Sequence, residues 1–174
     1  FLDPQPPLNR NVSQLATFPH LGHTHLMSST FTNINIHIIF STKNRTPQID
    51  SAFADRLYSY IGGIARKLDC HTLAAGGIED HIHLLIGLHP AVAISDLVRD
   101  IKANSSKWLH EDVKVEFEWQ RGYAAFSVSE SIVPDVRAYI ANQREHHAHR
   151  SYEDELIAFL ERHNIKYDRT YLLC

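Results

Sequence analysis

The stretch from Ile78 to Leu88, Ile-Glu-Asp-His-Ile-His-Leu-Leu-Ile-Gly-Leu, constrains the fold more than any other. An apolar run of this length reads as a buried strand. Side chains alternate faces along a strand, so His81 and His83 point to the same side. Burying two imidazoles costs free energy unless each finds a partner. Backbone hydrogen bonds are one kind of partner. A metal ion is another, because neutral imidazole is the commonest metal ligand. The spacing by itself leaves both readings open.

The pattern around this strand sets the fold class. Ile34, Ile36 and Ile38 alternate with Asn33, Asn35 and His37, which predicts a strand over Thr32–Phe40. Lys43-Asn44-Arg45 and Pro47 end it. Asp50 or Ser51 caps a helix in which Phe53, Leu57, Tyr60, Ile61, Ile64 and Leu68 recur at helical spacing. Cys70–Ala75 reads as a second strand and Gly76-Gly77 as a turn or bulge. After the histidine strand, Ile94, Leu97, Val98, Ile101, Ser105, Trp108 and Leu109 mark a second amphipathic helix. Val113–Phe117 reads as a short strand and Tyr123–Val128 as a firmer one. A third helix is expected from Pro134 to His147, with proline in its first turn. Ser151-Tyr-Glu-Asp154 resembles a capping box for a fourth helix, closed by Asn164. The order strand, helix, strand, strand, helix, strand, helix predicts a ferredoxin-like α+β fold. Helices pack on one face of its antiparallel sheet, and the other face carries a site.

At 174 residues the chain has room for one domain with a substantial core. Residues 1–26 are rich in Pro, Asn and His and lack periodicity. They read as a flexible tail before Met27, the single methionine, with the folded domain spanning 27–174. His20, His23 and His25 in that tail read as solvated rather than metal-binding. No apolar stretch reaches the length of a membrane span. Two cysteines without a spaced framework point to a reduced, cytoplasmic protein. A formal charge of -3 excludes a global basic footprint, so any nucleic-acid site has to be a local patch.

Tyr139 and Gln143 lie four residues apart on the third helix and share one face. A tyrosine there also serves as ordinary packing. With seven tyrosines in the chain, spacing does not choose among them.

Three longer stretches are more specific. They are His37-Ile-Ile-Phe-Ser-Thr-Lys-Asn-Arg45, Asp80-His-Ile-His-Leu-Leu85, and Trp119-Gln-Arg-Gly-Tyr-Ala-Ala-Phe-Ser-Val-Ser129 running on to Tyr139-Ile-Ala-Asn-Gln143. Glu145-His-His147 and Ile165-Lys-Tyr-Asp168 continue the pattern. Together these resemble the single-tyrosine HUH transposases of small insertion sequences, including REP-associated tyrosine transposases. HUH denotes His, hydrophobic residue, His.

The resemblance implies that His81 and His83 bind a divalent metal, Mg²⁺ or Mn²⁺, with Gln143 as third ligand. It implies Tyr139 as the nucleophile, a 5′-phosphotyrosine intermediate, single-stranded or hairpin DNA as substrate, and a homodimer. The chemistry suits these groups. A metal withdraws charge from phosphate oxygens. Phenolate is a competent nucleophile and leaving group, so its phosphodiester bond can be rejoined. Asp80 is placed to support a histidine N–H or simply to serve the turn. Lys43, Arg45, Arg99, Lys102, Lys107 and Arg121 are candidate phosphate contacts, and Trp119 and Tyr123 candidate stacking platforms. Three alternative readings compete with this one. A histidine-triad hydrolase lacks its third histidine, since position 85 is Leu. A non-catalytic binding module would show aromatic residues on its strands. A domesticated endonuclease that cuts repeat hairpins has the same sequence signature as an active transposase.

Overall fold

The computed structural model describes residues 31–172. The proposed tail and its three histidines lie outside them. Strands β1 (Asn35–Ser41), β2 (His71–Ile78), β3 (His81–Gly87) and β4 (Ala124–Val128) form one antiparallel sheet in the order β2-β3-β1-β4. This is the ferredoxin-like α+β arrangement that the element order predicts.

Strand alternation divides the core. Ile36, Ile38 and Phe40 of β1 and Ile82, Leu84 and Ile86 of β3 point to one face. Helices α1 (Ser51–Lys67) and α2 (Ile94–Trp108) cover that face with Leu57, Ile61, Leu97 and Ile101, all fully buried. Each such side chain contributes about 2 kcal/mol of burial energy. Asp50 caps α1 by accepting the Ala52 N–H at 2.8 Å.

The other face carries His37, Ile39, His81, His83 and Leu85, and it too is covered. Helices α3 (Val133–Ala141), α4 (Gln143–His147) and α5 (Tyr152–Arg162) close over it. Two apolar clusters fasten them. Val133 and Ile140 meet Leu85 and Val128, while Tyr152, Leu156 and Leu160 meet Ile39 and Phe126. The site is therefore sandwiched between sheet and helices rather than displayed on an open face. Ser151 caps α5 by accepting the Asp154 N–H, and Asn164 follows its end at φ 53°, the left-handed stop expected there.

Three local expectations are corrected. No strand forms over Val113–Phe117. Lys114 adopts a left-handed conformation at φ 65°, and the Phe117 N–H is donated to His110 Nε2 instead of a ladder. The third helix is also not continuous to His147. It breaks at Asn142, whose N–H is shared between the carbonyls of Ala138 and Tyr139. The Tyr139 carbonyl also accepts the side-chain amide of Gln143 at 3.4 Å.

Gly76 and Gly77 belong to β2 rather than to a turn. Gly76 pairs with His83, and a Cβ there would stand 2.6 Å from the backbone oxygen of Ile140. Glycine at this position lets α3 lie directly on the sheet beside the histidines.

Candidate active site

β3 delivers His81 and His83 to one face, both fully buried. α4 brings His147 and α5 brings Glu155 over them. One ligand atom from each of these four residues lies within 4.8 Å of all the others. Glu155 Oε2 is 3.4 Å from His83 Nε2, 3.3 Å from His147 Nε2 and 3.8 Å from His81 Nε2. None of these four atoms has a hydrogen-bond partner, although all are buried. Four convergent, buried and unsatisfied donors are what a cation would satisfy.

The outward nitrogens of the two strand histidines are already engaged. His81 Nδ1 is 2.7 Å from Asp80 Oδ1, and Arg45 holds the other Asp80 oxygen through Nη2 at 2.5 Å. His83 Nδ1 is 3.0 Å from His37 Nε2. Both rings therefore present Nε2 to the cluster.

Tyr139 reaches the same carboxylate. Its hydroxyl donates to Glu155 Oε1, and its ring stands edge-on to His83 with centroids 5.8 Å apart. His146 Nε2 lies 3.8 Å from that oxygen. An open cavity of about 640 Å³ leads to Tyr139 from solvent, lined also by Asn142, His146, His149 and Arg150. The phenol and the ligand cluster thus meet within one chain.

Burial sets the electrostatics. It pushes the Glu155 carboxyl up to about 7, with His81 opposing and Asp80 reinforcing the shift. It holds His83 well below the usual histidine range, helped by His81, His147 and His146. His37 is brought down to about 3 by burial and by His83. His147 is lowered by burial and by His81. Burial raises Asp80, but hydrogen bonds from His81 and Arg45 outweigh it and keep the carboxyl below its ordinary value. The imidazoles of His83 and His147 are thus kept neutral, the form that ligates a metal.

Gln143 is also buried, with Oε1 unpaired. His147 and Glu155 were not assigned as ligands from the sequence. Glu155 carried a signal, because it sits among Tyr152, Leu156 and Phe159 in the apolar stripe of α5. A carboxylate in such a stripe needs a partner.

The eight expected DNA contacts divide. Arg99, Lys102, Trp119, Arg121 and Tyr123 line one groove of about 460 Å³ beside α2. Tyr123 is exposed. Trp119 is a correction. It is buried, donates its indole N–H to Ser105 and packs edge-on to Phe40 and Phe117, so it offers no free face to a base. Lys102 is a second correction. Its ammonium donates to the carbonyls of Gln120 and Gly122 and lies over the Phe40 ring, and burial lowers its pKa to about 8. It secures a loop. Arg45 is committed to Asp80 and to the ring of Tyr152. Lys43, Arg99 and Lys107 are exposed and pair with Glu118, with Asp96 and Asp100, and with Glu111.

The profile of the family described as "Transposase IS200 like" matches residues 30–143. The transposase for insertion sequence element IS200 of Salmonella typhimurium is 29% identical over 136 residues, covering 72% of this chain and 86% of that protein. The ISDra2 transposase TnpA of Deinococcus radiodurans is 26% identical over 119 residues, covering 64% and 85%. Among solved structures, a candidate transposase from Deinococcus radiodurans superposes with a TM-score of 0.52 at 25% identity, covering 69% of this chain and 98% of that one. A REP-associated tyrosine transposase bound to a REP hairpin superposes with a TM-score of 0.54 at 15% identity, covering 72% and 74%. The profile match includes His81, His83, Tyr139 and Gln143 and ends before His147 and Glu155.

Proposed function

The chain belongs to the IS200-like transposase family, and from that premise we propose that it cleaves and rejoins single-stranded, hairpin-forming DNA through Tyr139. His81, His83, His147 and Glu155 would hold a divalent metal. Gln143, with its buried and unpaired Oε1, is retained as a further oxygen donor. The observation that carries this reading is the shared carboxylate. Glu155 joins the tyrosine to the three histidines.

A bound cation would supply Lewis-acid withdrawal of charge from the scissile phosphate. Three imidazoles and a carboxylate suit Mn²⁺ better than Mg²⁺, which takes mainly oxygen ligands. The chain's own groups do the rest. The Tyr139 hydroxyl already donates to Glu155 Oε1, so its proton has an acceptor as the phenolate forms. Oη attacks phosphorus, and the bond to the 3′ oxygen breaks. That oxygen takes up a proton from solvent and leaves as a free 3′-OH. The new 5′-phosphotyrosine conserves the phosphodiester for rejoining, by attack of a 3′-OH. The hydrogen bond from Tyr139 to Glu155 of the same chain supports a nucleophile that acts in its own subunit. A homodimer belongs to the proposal as the source of a second tyrosine, and light scattering checks it. DNA as substrate assigns the work to the cytoplasm.

The test uses labelled single-stranded hairpin DNA from the flanking sequence with Mn²⁺ on a denaturing gel. Wild type forms a protein–DNA adduct and Tyr139→Phe does not. An adduct that survives the substitution moves the nucleophile to another tyrosine. DNA cut without any adduct identifies a water-using nuclease.

A further inference from the structure

We propose that His37 is a positioning residue that fixes the ring proton of His83 and so holds His83 ready for metal. This rests on the reading of the cluster as a metal site. His83 turns Nε2 toward Glu155 and Nδ1 toward His37. A metal takes the lone pair on Nε2, so the proton of the neutral ring has to sit on Nδ1. The group in range to receive it is His37 Nε2, at 3.0 Å. His37 then accepts on Nε2 and carries its own proton on Nδ1.

The surroundings fit this role. His37 is buried on β1, on the same face as the ligands and diagonal to His83 across the β1–β3 ladder. Its ring is wedged edge-on against Phe159 of α5, with centroids 5.2 Å apart, and tilted 31° to the ring of His83. Such packing leaves it little freedom to turn its acceptor away. The two strand ligands are therefore supported differently. His81 leans on a carboxylate that an arginine holds, and His83 on a neutral imidazole. Partners of this outer kind set the tautomer and basicity of a ligating histidine, and their loss typically weakens metal binding about 10–100-fold.

The test combines two readouts. First, ¹⁵N–¹H correlation of histidine side chains in the full wild-type chain, with Zn²⁺ as a diamagnetic probe, reports which nitrogen of His83 is protonated. Nδ1–H is expected, and Nε2–H overturns the proposal. Second, Mn²⁺ affinity is titrated for wild type, His37→Phe and His37→Gln. Phenylalanine fills the space without an acceptor and should weaken binding about 10–100-fold. Glutamine restores a carbonyl acceptor and should recover most of the loss. If His37→Phe binds Mn²⁺ like wild type, or glutamine rescues nothing in a protein that melts like wild type, His37 is merely structural. If wild type binds neither ion, the metal-site reading fails and this inference with it.

Discussion

Tyr139 and Glu155 are joined by a hydrogen bond from phenol to carboxylate, and the second oxygen of that carboxylate faces three imidazole nitrogens. One side chain thus links the proposed nucleophile to the proposed ligand set. It is also an acid in a dry place, and that makes its behaviour with pH distinctive.

Burial raises the Glu155 carboxyl from 4.5 to about 7. Between those values the folded chain holds a proton that the unfolded chain has lost. This contribution is fully present below the unfolded pKa and is lost as pH rises through about 7. Glu155→Gln mimics the protonated form. In metal-free protein it should leave the melting temperature near wild type at pH 5 and raise stability by ~2–3 kcal/mol at pH 8. Denaturant melts at both values check this, and an equal effect at both would remove the electrostatic explanation.

His147→Ala removes a proposed ligand and should weaken Mn²⁺ binding by more than the 10–100-fold typical of an outer partner. Gln143→Ala should cost less, because the three histidines and Glu155 remain. Isothermal titration of the two variants ranks them. The reverse order would return the third ligand to Gln143.

Gly76→Ala places a Cβ 2.6 Å from the Ile140 backbone oxygen. Neither β2 nor α3 can yield without lifting the helix that carries Tyr139. Overpacking of this kind typically costs ~1–3 kcal/mol. Urea unfolding should show that loss, and adduct yield should fall with it. Wild-type stability together with wild-type cleavage would show that α3 does not need this close approach.

Lys102→Met keeps the aliphatic stem and deletes the ammonium that secures the carbonyls of Gln120 and Gly122. We expect a stability loss of ~1–2 kcal/mol and an unchanged salt dependence of DNA binding. Arg121→Ala should instead flatten the slope of log K against log[salt] by about one unit if Arg121 meets phosphate. Binding measured across a salt series separates the two roles.

Much of the frame was legible in the residues. Alternation along β3 placed His81 and His83 on one face, and the element order predicted the sheet. The remainder was hidden for physical reasons. His37 read as one polar member of an alternating strand, because alternation reports a face and not the ring beside it. Glu155 was visible as a misfit in an apolar stripe, but the histidines that explain it come from another layer. Trp119 looked like a stacking platform because sequence shows an aromatic ring and not the Ser105, Phe40 and Phe117 that enclose it. The break at Asn142 depends on one N–H shared between two carbonyls at the α3–α4 junction, which periodicity does not register.

That Glu155 rides on α5 also orders events during synthesis. The histidine strand and Tyr139 leave the ribosome first, and the carboxylate that receives the phenol's hydrogen follows them. The proposed site is thus completed by a helix made after both of them. A nascent chain stalled before Ser151 should therefore leave hairpin DNA intact even with manganese present.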